Sequence, residues 1–421
     1  MSTADKLGEA WDINPDAAQG YMTEERRMIK ESARAFTMKE VLPVANELDP
    51  VQGKIPFELR QKLADMGYFG ITIPTRYGGM GLGCFEYCLV AEELARGWMS
   101  VASLIARGNG LIGARGMSEE QLQERLPKVA RGEWLGAFSM SEPGAGSDVS
   151  ALTCRAVREG DEWVITGNKY WCTFADDADY IYVVARTEAV DPKARHKGMS
   201  GFIVEKPRGE LPKGCKGSPI PKIGYFGWST FELAFDGCRV PLSAQVGGAK
   251  GAGNAFYQIS SGLERARAHT AARSIGLAQG ALEDAMEYAK ERVQFGQPIG
   301  EFQAIRFKIA KMATEIEAAR QLMYFVCHQI DTGKRCDREA AMVKLFASEM
   351  SERVTSEALQ IFGGAGYTKL FAVERHWRDA RLTKIFEGTS EIQQRIISDN
   401  LLGRSEIDKQ IARNAYSKTF G

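Results

Sequence analysis

Phe302-Gln-Ala-Ile305-Arg-Phe-Lys-Ile309-Ala-Lys-Met312-Ala-Thr-Glu-Ile316-Glu-Ala-Ala319-Arg-Gln-Leu-Met323-Tyr-Phe-Val326-Cys-His-Gln-Ile330 places apolar residues in alternating steps of three and four. That spacing draws an apolar stripe along one face of a 3.6-residue helix, the seam of antiparallel packing in a bundle. Two further stripes flank it: Phe256, Ile259, Leu263 and Ala266 before it, and Val343, Phe346, Met350, Val354, Ala358 and Ile361 after it. From about Gly251 onward the chain is therefore predicted to form a helical bundle.

Toward the N-terminus the texture changes twice. Residues 133–140, 151–158, 162–168, 179–187, 201–206 and 230–236 are rich in Val, Ile, Tyr, Phe and Trp, and Gly, Pro and Asp separate them. Short strands without intervening helices predict an antiparallel sandwich or barrel, not a parallel nucleotide-binding sheet. Before Gly132 the pattern is helical again, over about 23–42 (disturbed at Pro43), 56–66, 84–95, 100–116 and 118–130. A glycine-rich loop lies at 70–83. The predicted class is α+β: an N-terminal all-α domain (22–132), a middle antiparallel β-sandwich or barrel (133–245) and a C-terminal four-helix bundle (246–405). A lead-in (1–21) and a tail (406–421) flank them.

The 421 residues carry 54 basic and 54 acidic side chains, so no net field draws nucleic acid or an acidic membrane. No apolar run approaches the ~20 residues of a membrane span. The eight cysteines form no Cys-x-x-Cys pair, and Cys84 and Cys88 have no nearby His to complete a metal set, so no metal is expected. A reduced, cytoplasmic setting follows. The four histidines are scattered singly, and no phosphate loop or His-Glu-x-x-His zinc motif is present.

Three stretches carry candidate chemistry. Arg378-Asp-Ala-Arg-Leu-Thr-Lys-Ile-Phe-Glu387-Gly-Thr-Ser-Glu-Ile-Gln-Gln394 reads as an element ending near Phe386, a break at Gly388 and a new helix from Thr389 or Ser390. Glu387 sits at the break. Phe138-Ser-Met-Ser-Glu-Pro-Gly-Ala-Gly-Ser-Asp148 ends a strand with glycines and hydroxyls able to hold a polar planar ligand or a phosphate, or to make a plain turn. Gln360-Ile-Phe-Gly-Gly-Ala-Gly-Tyr367 closes a helix with glycines that either cap it or let backbone approach a pyrophosphate. Together they favour a cofactor-binding enzyme.

These stretches, with Arg292-Val-Gln-Phe-Gly296, Gln303 and the run from Glu374 to Gln393, resemble the acyl-CoA dehydrogenase family in order and spacing over about residues 22–402. The resemblance implies non-covalent FAD. Its isoalloxazine would be contacted by Phe138, Met140, Ser141, Trp171, Cys172 and Thr173; Cys172 departs from the family's usual Ile or Val. Arg292, Phe295, Gln303, Gln360, Gly363 and Gly364 match positions for the adenine and pyrophosphate end, held partly by a neighbouring subunit. Thr389 and Glu391 match further FAD contacts at a helix N-terminus. Ser147 matches a position shared by cofactor and substrate.

Glu387 matches the family's catalytic base. It would remove the α-proton of an acyl-CoA thioester while the β-hydride passes to flavin N5, giving the trans-2-enoyl-CoA. Enclosure by an apolar acyl chain should raise its pKa. A subset of the family places its base just before an arginine on the first bundle helix; that place here is Ala266, before Arg267, and Glu264 lies two residues too early. Arg267 and Gly388 are expected to contact substrate, and Glu264 either to contact CoA or the substrate or to pair with Arg267. Arg107 and Arg115 lie where the family's helices roof the acyl pocket, and a buried arginine there would suit a second carboxylate. The resemblance further implies electron-transfer flavoprotein as electron acceptor, a homotetramer or homodimer, and a role in β-oxidation or acid degradation. The alternatives it leaves are a dicarboxyl-CoA dehydrogenase with or without decarboxylation, and a nucleic-acid-binding flavoprotein of the damage-response type.

Overall fold

The computed structural model describes residues 20–109, 117–260 and 262–403. Arg115, the lead-in and the tail lie outside them. The N-terminal region is helical: α1 (Glu24–Phe36), α2 (Leu42–Leu48), α3 (Phe57–Asp65), α4 (Cys84–Gly97), α5 (Met99–Leu104) and α6 (Glu119–Ala130). Between α1 and α2 the chain does not leave the helical path at Pro43. It takes a wider π turn over Thr37–Val41, ending where the Leu42 N–H reaches the Thr37 carbonyl. Pro43 has no N–H to give, and the widened turn lets the helix run on to Leu48. Helix α4 is buried almost all round, and the extended backbone of Trp98 separates it from α5.

The middle region holds β1 (Gly136–Ser139), β2 (Arg155–Glu159), β3 (Glu162–Thr173), β4 (Tyr180–Arg186), β5 (Met199–Glu205), β6 (Cys215–Pro219) and β7 (Thr230–Pro241). Their order is β1-β4-β2-β3-β7-β6, with β5 on β4. The sheet is mixed. Most pairs are antiparallel, but β1 runs parallel to β4 with Phe138 opposite Tyr182, and β2 meets β4 in parallel at Arg155 and Arg186. Strand β3 slips register between Lys169 and Cys172. That bulge turns Trp171 out to solvent with a φ of 63°.

The C-terminal region is the bundle: α7 (Leu263–Glu291), α8 (Gln303–Asp331), α9 (Asp337–Phe362), α10 (Val373–Thr383) and α11 (Ser390–Leu402). A hairpin of β8 (Val293–Gln294) and β9 (Gln297–Pro298) joins α7 to α8. Helix α7 is the hub, packing on α4, α8, α9 and α10. Its Ala-rich surface makes this contact close: a Cβ on Gly276 would lie 2.1 Å from the Glu92 carbonyl of α4. One apolar cluster therefore runs through helices and sheet alike. Among the described residues, no helix is long and apolar enough to cross a membrane.

Candidate active site

Glu387 lies between α10 and α11 in a left-handed backbone conformation, φ 53°. A non-glycine residue there costs on the order of 1–2 kcal/mol, so its surroundings must hold it. They do so at Gly388, whose carbonyl accepts from Lys344 Nζ at 2.6 Å and Gln393 Nε2 at 2.9 Å, while the Ser390 N–H donates to the Lys384 carbonyl at 3.0 Å. Thr389 caps α11, its hydroxyl accepting from the Ile392 N–H at 3.3 Å. Glu391 follows in the exposed first turn, where that N-terminus holds its carboxyl below the usual range.

The Glu387 carboxylate is clamped by α7. Thr270 Oγ1 donates to one oxygen at 2.6 Å, and Arg273 Nη2 to the other at 2.6 Å. Arg273 is 1% exposed and also donates to Ser103 Oγ at 2.8 Å. Its guanidinium lies 4.7 Å from the Phe386 ring. Behind it Tyr87 stacks on His269 at 4.5 Å, and burial with the Arg273 charge keeps His269 neutral. The Glu387 N–H donates no hydrogen bond among the described residues, leaving a donor beside the carboxylate.

The β-region reaches this site through the loop before β7. The Tyr225 N–H donates to Asp379 Oδ1 at 2.6 Å, and its ring meets Phe386 at 5.9 Å. Arg107 stacks its guanidinium over Trp228 (5.1 Å) and Phe174 (5.8 Å), within electrostatic range of both Cys172 and Glu387.

The sheet-edge candidates gather at one place. Phe138, Met140, Ser141 and Thr173 are half-buried, and Trp171 is 57% exposed. The loop holding them is pinned from below: the Tyr170 N–H donates to the Ser141 carbonyl at 2.8 Å, and buried Lys169 donates to the Met140 carbonyl and to Glu142, each at 2.9 Å. Glu142 also accepts from the N–H groups of Thr153 (2.7 Å) and Cys154 (2.8 Å). Ser147 is exposed on the same loop. Cys172 departs from the expectation of a side-chain contact. It alternates with Trp171 and Thr173, so its thiol is sealed inside the sheet and burial pushes it up to about 12.

A second group assembles at the other end of the bundle. Tyr288, near the end of α7, stacks on Phe362 of α9 at 4.2 Å, next to the helix end that carries Gln360, Gly363 and Gly364, while Arg292 follows α7 and Gln303 opens α8. Phe295 at the hairpin tip is 94% exposed. A Cβ on Gly363 or Gly364 would meet nothing within 4 Å, so that backbone is open to a ligand. Among the described residues, no hydrogen bond, ion pair or ring contact joins this group to the sheet edge of the same chain. An exposed aromatic platform, half-buried hydroxyls and open glycine backbone fit the ring and phosphates of FAD.

Glu264 does not pair with Arg267; its carboxylate accepts from the Cys336 N–H at 3.3 Å. Arg267 is largely buried nearby, and burial lowers its pKa. Ala266 offers no acid, so Glu387 is the carboxylate presented at this place. Arg273, Thr270 and Lys344 were missed in the sequence. The available signal was an arginine inside the Ala-rich run His269-Thr-Ala-Ala-Arg273-Ser-Ile-Gly276. Cys327 joins Cys84 and Cys88, the three thiols lying buried within 4.8 Å of one another.

Three family models match in chain order: the acyl-CoA dehydrogenase N-terminal domain over residues 23–133, the middle domain over 137–238 and the C-terminal domain over 253–402. The chain is 41% identical to (2S)-methylsuccinyl-CoA dehydrogenase of Cereibacter sphaeroides, over 90% of this chain and 70% of that one. It is 38% identical to the caffeyl-CoA reductase-Etf complex subunit CarC of Acetobacterium woodii, over 91% of this chain and 99% of that one. The solved butyryl-CoA dehydrogenase of Megasphaera elsdenii superposes with a TM-score of 0.84 at 34% identity, covering 90% of this chain and 99% of that one. With matches along the whole length of the described fold, the chain belongs to the acyl-CoA dehydrogenase family of oxidoreductases.

Proposed function

We propose that this chain oxidises an acyl-CoA thioester across its α and β carbons, with Glu387 as the base that removes the α-proton. The observation that carries this reading is the strained backbone of Glu387, held at a helix break with its carboxylate on Thr270 and Arg273 and its N–H without an acceptor among the described residues. The two groups have complementary tasks. The carboxylate takes the proton; the N–H donates to the thioester carbonyl, where negative charge develops as the α C–H breaks. Thr270 and Arg273 orient the carboxylate in the resting site. FAD supplies the two-electron acceptor when bound. Phe138, Met140, Ser141, Trp171 and Thr173 would hold its ring system, with Gly363, Gly364, Gln360, Arg292, Phe295 and Gln303 at its other end.

The separation of those two groups in one chain, and the exposure of Phe295 within the second, support a homo-oligomer in which a second copy completes each cofactor site. The Etf complex named for the Acetobacterium relative supports electron-transfer flavoprotein as the redox partner. The same relative is named a reductase, and Glu387 would serve that direction equally by returning the proton. Anaerobic mixing of the yellow protein with a panel of CoA esters tests the reading: a cognate ester bleaches the flavin. Glu387→Gln should keep FAD and abolish bleaching, and normal turnover by that variant would sink the assignment.

A further inference from the structure

Three cations lie around Glu387, and of these Arg273 alone bonds its carboxylate. Arg273 is buried on Glu387, Ser103 and Thr270. Lys344 is buried beneath Gly388. Arg107 has a buried Nε without a hydrogen-bond partner, and its guanidinium lies over the Trp228 and Phe174 rings beside this site. Enclosing guanidinium groups without a matching anion is costly, and an aliphatic acyl chain laid against them leaves that cost in place. Nor does abstraction of the α-proton use them: in the resting site Arg273 occupies an oxygen of the very carboxylate that must take the proton.

The surplus cations have the geometry of a carboxylate receptor. Arg273 presents a planar edge flanked by the hydroxyls of Ser103 and Thr270, both of which can rotate to donate. Glu387 occupies that edge in the resting site. We propose that Arg273, with Arg107 beside it, binds a second carboxylate on the acyl group, and that this carboxylate takes Arg273 over from Glu387 and frees it to act. The inference rests on Glu387 being the base. Because the receptor adjoins the base directly, the second carboxylate stands only a few bonds from the reacting carbon. That restricts the substrate to short diacid monothioesters. An ester without the second acid leaves Arg273 on Glu387 and the base restrained.

The test uses the FAD-loaded protein and pairs of CoA esters matched in carbon skeleton: succinyl with butyryl, methylsuccinyl with 2-methylbutyryl, glutaryl with pentanoyl. In at least one pair the diacid should be favoured in kcat/KM by on the order of 100-fold or more. Arg273→Met should lower that preference by about 100-fold, and Arg273→Lys, which keeps the charge but loses the fork, should fall between. Should Arg273→Met fail to retain flavin, the ratio for Arg273→Lys decides. Preference for the monoacid in every pair overturns the inference, as does an equal loss on both members of the favoured pair. If monoacid esters alone bleach the flavin, this inference falls and the assignment of Glu387 stands; if no ester bleaches it, both fall.

Discussion

Replacing Gly388 with alanine strikes the turn behind Glu387 at two points. Its φ is 91°, where a side chain costs about 1–2 kcal/mol. A Cβ would also stand 2.5 Å from Nε2 of Gln393, whose buried amide donates to the Gly388 carbonyl at 2.9 Å. Displacing that amide adds about 1–3 kcal/mol for the buried group left unpaired. The total, about 2–5 kcal/mol, corresponds to a fall in Tm on the order of 5–15 °C for a bundle of this size. A shift of about 1 Å at the carboxylate costs about 100-fold in turnover. Thermal melts and kcat at saturating FAD measure both effects. The two costs separate in a Gln393→Ala background, where no amide remains to be struck and Gly388→Ala should cost only its backbone share. Melting within about 1 °C of wild type with full kcat would refute the reasoning, as would an undiminished cost in the Gln393→Ala background.

Glu142→Gln should leave the Lys169 charge buried without its partner, at about 3–5 kcal/mol, and slacken the loop at Met140 and Ser141. A lower Tm and a lower ratio of flavin to protein absorbance are expected, and pairing it with Lys169→Met should recover most of the loss. Burial pushes the Lys344 ammonium down from 10.5 to about 8. The folded state then binds fewer protons than the unfolded one between those values, so stability rises with pH across that window, by about 3 kcal/mol. Lys344→Met should abolish the rise in Tm between about pH 8 and 10; equal slopes in both proteins would exclude Lys344 as its source.

Much of this fold was legible wherever a local period carries it. The stripe from Phe302 to Ile330 became α8 over Gln303–Asp331 because one helix face must be buried whatever its partner. Pairing partners are different. That β1 runs parallel to β4 depends on where the chain returns about forty residues later, and nothing in Gly136–Ser139 records it. Strand β6 is short and mostly exposed, with Gly217 and Pro219 among its five residues, so it lacks the strand signature. The acid at a glycine break drew notice to Glu387. Its partners escaped because Arg273 lies 114 residues away, and an arginine within a helix is ordinarily solvated until packing seals it.

The cap of α4 has a consequence for the order in which the chain assembles. The first N–H groups of that helix, from Cys84 and Phe85, are taken up by the carboxylate of Asp331 at 2.6 and 2.9 Å. Asp331 is the last residue of α8, and 247 residues separate it from Cys84. The buried Glu92 of α4 has Lys30 of α1 at 3.4 Å from the start, but its second cation, Arg320 at 2.9 Å, comes only with α8. During synthesis at about 5–20 residues per second, α4 emerges roughly 12–50 s before the residue that satisfies its N-terminus. Two helical regions that look separable along the chain therefore mature together: the early one remains an incompletely closed intermediate, exposed to chaperone capture, until α8 leaves the ribosome.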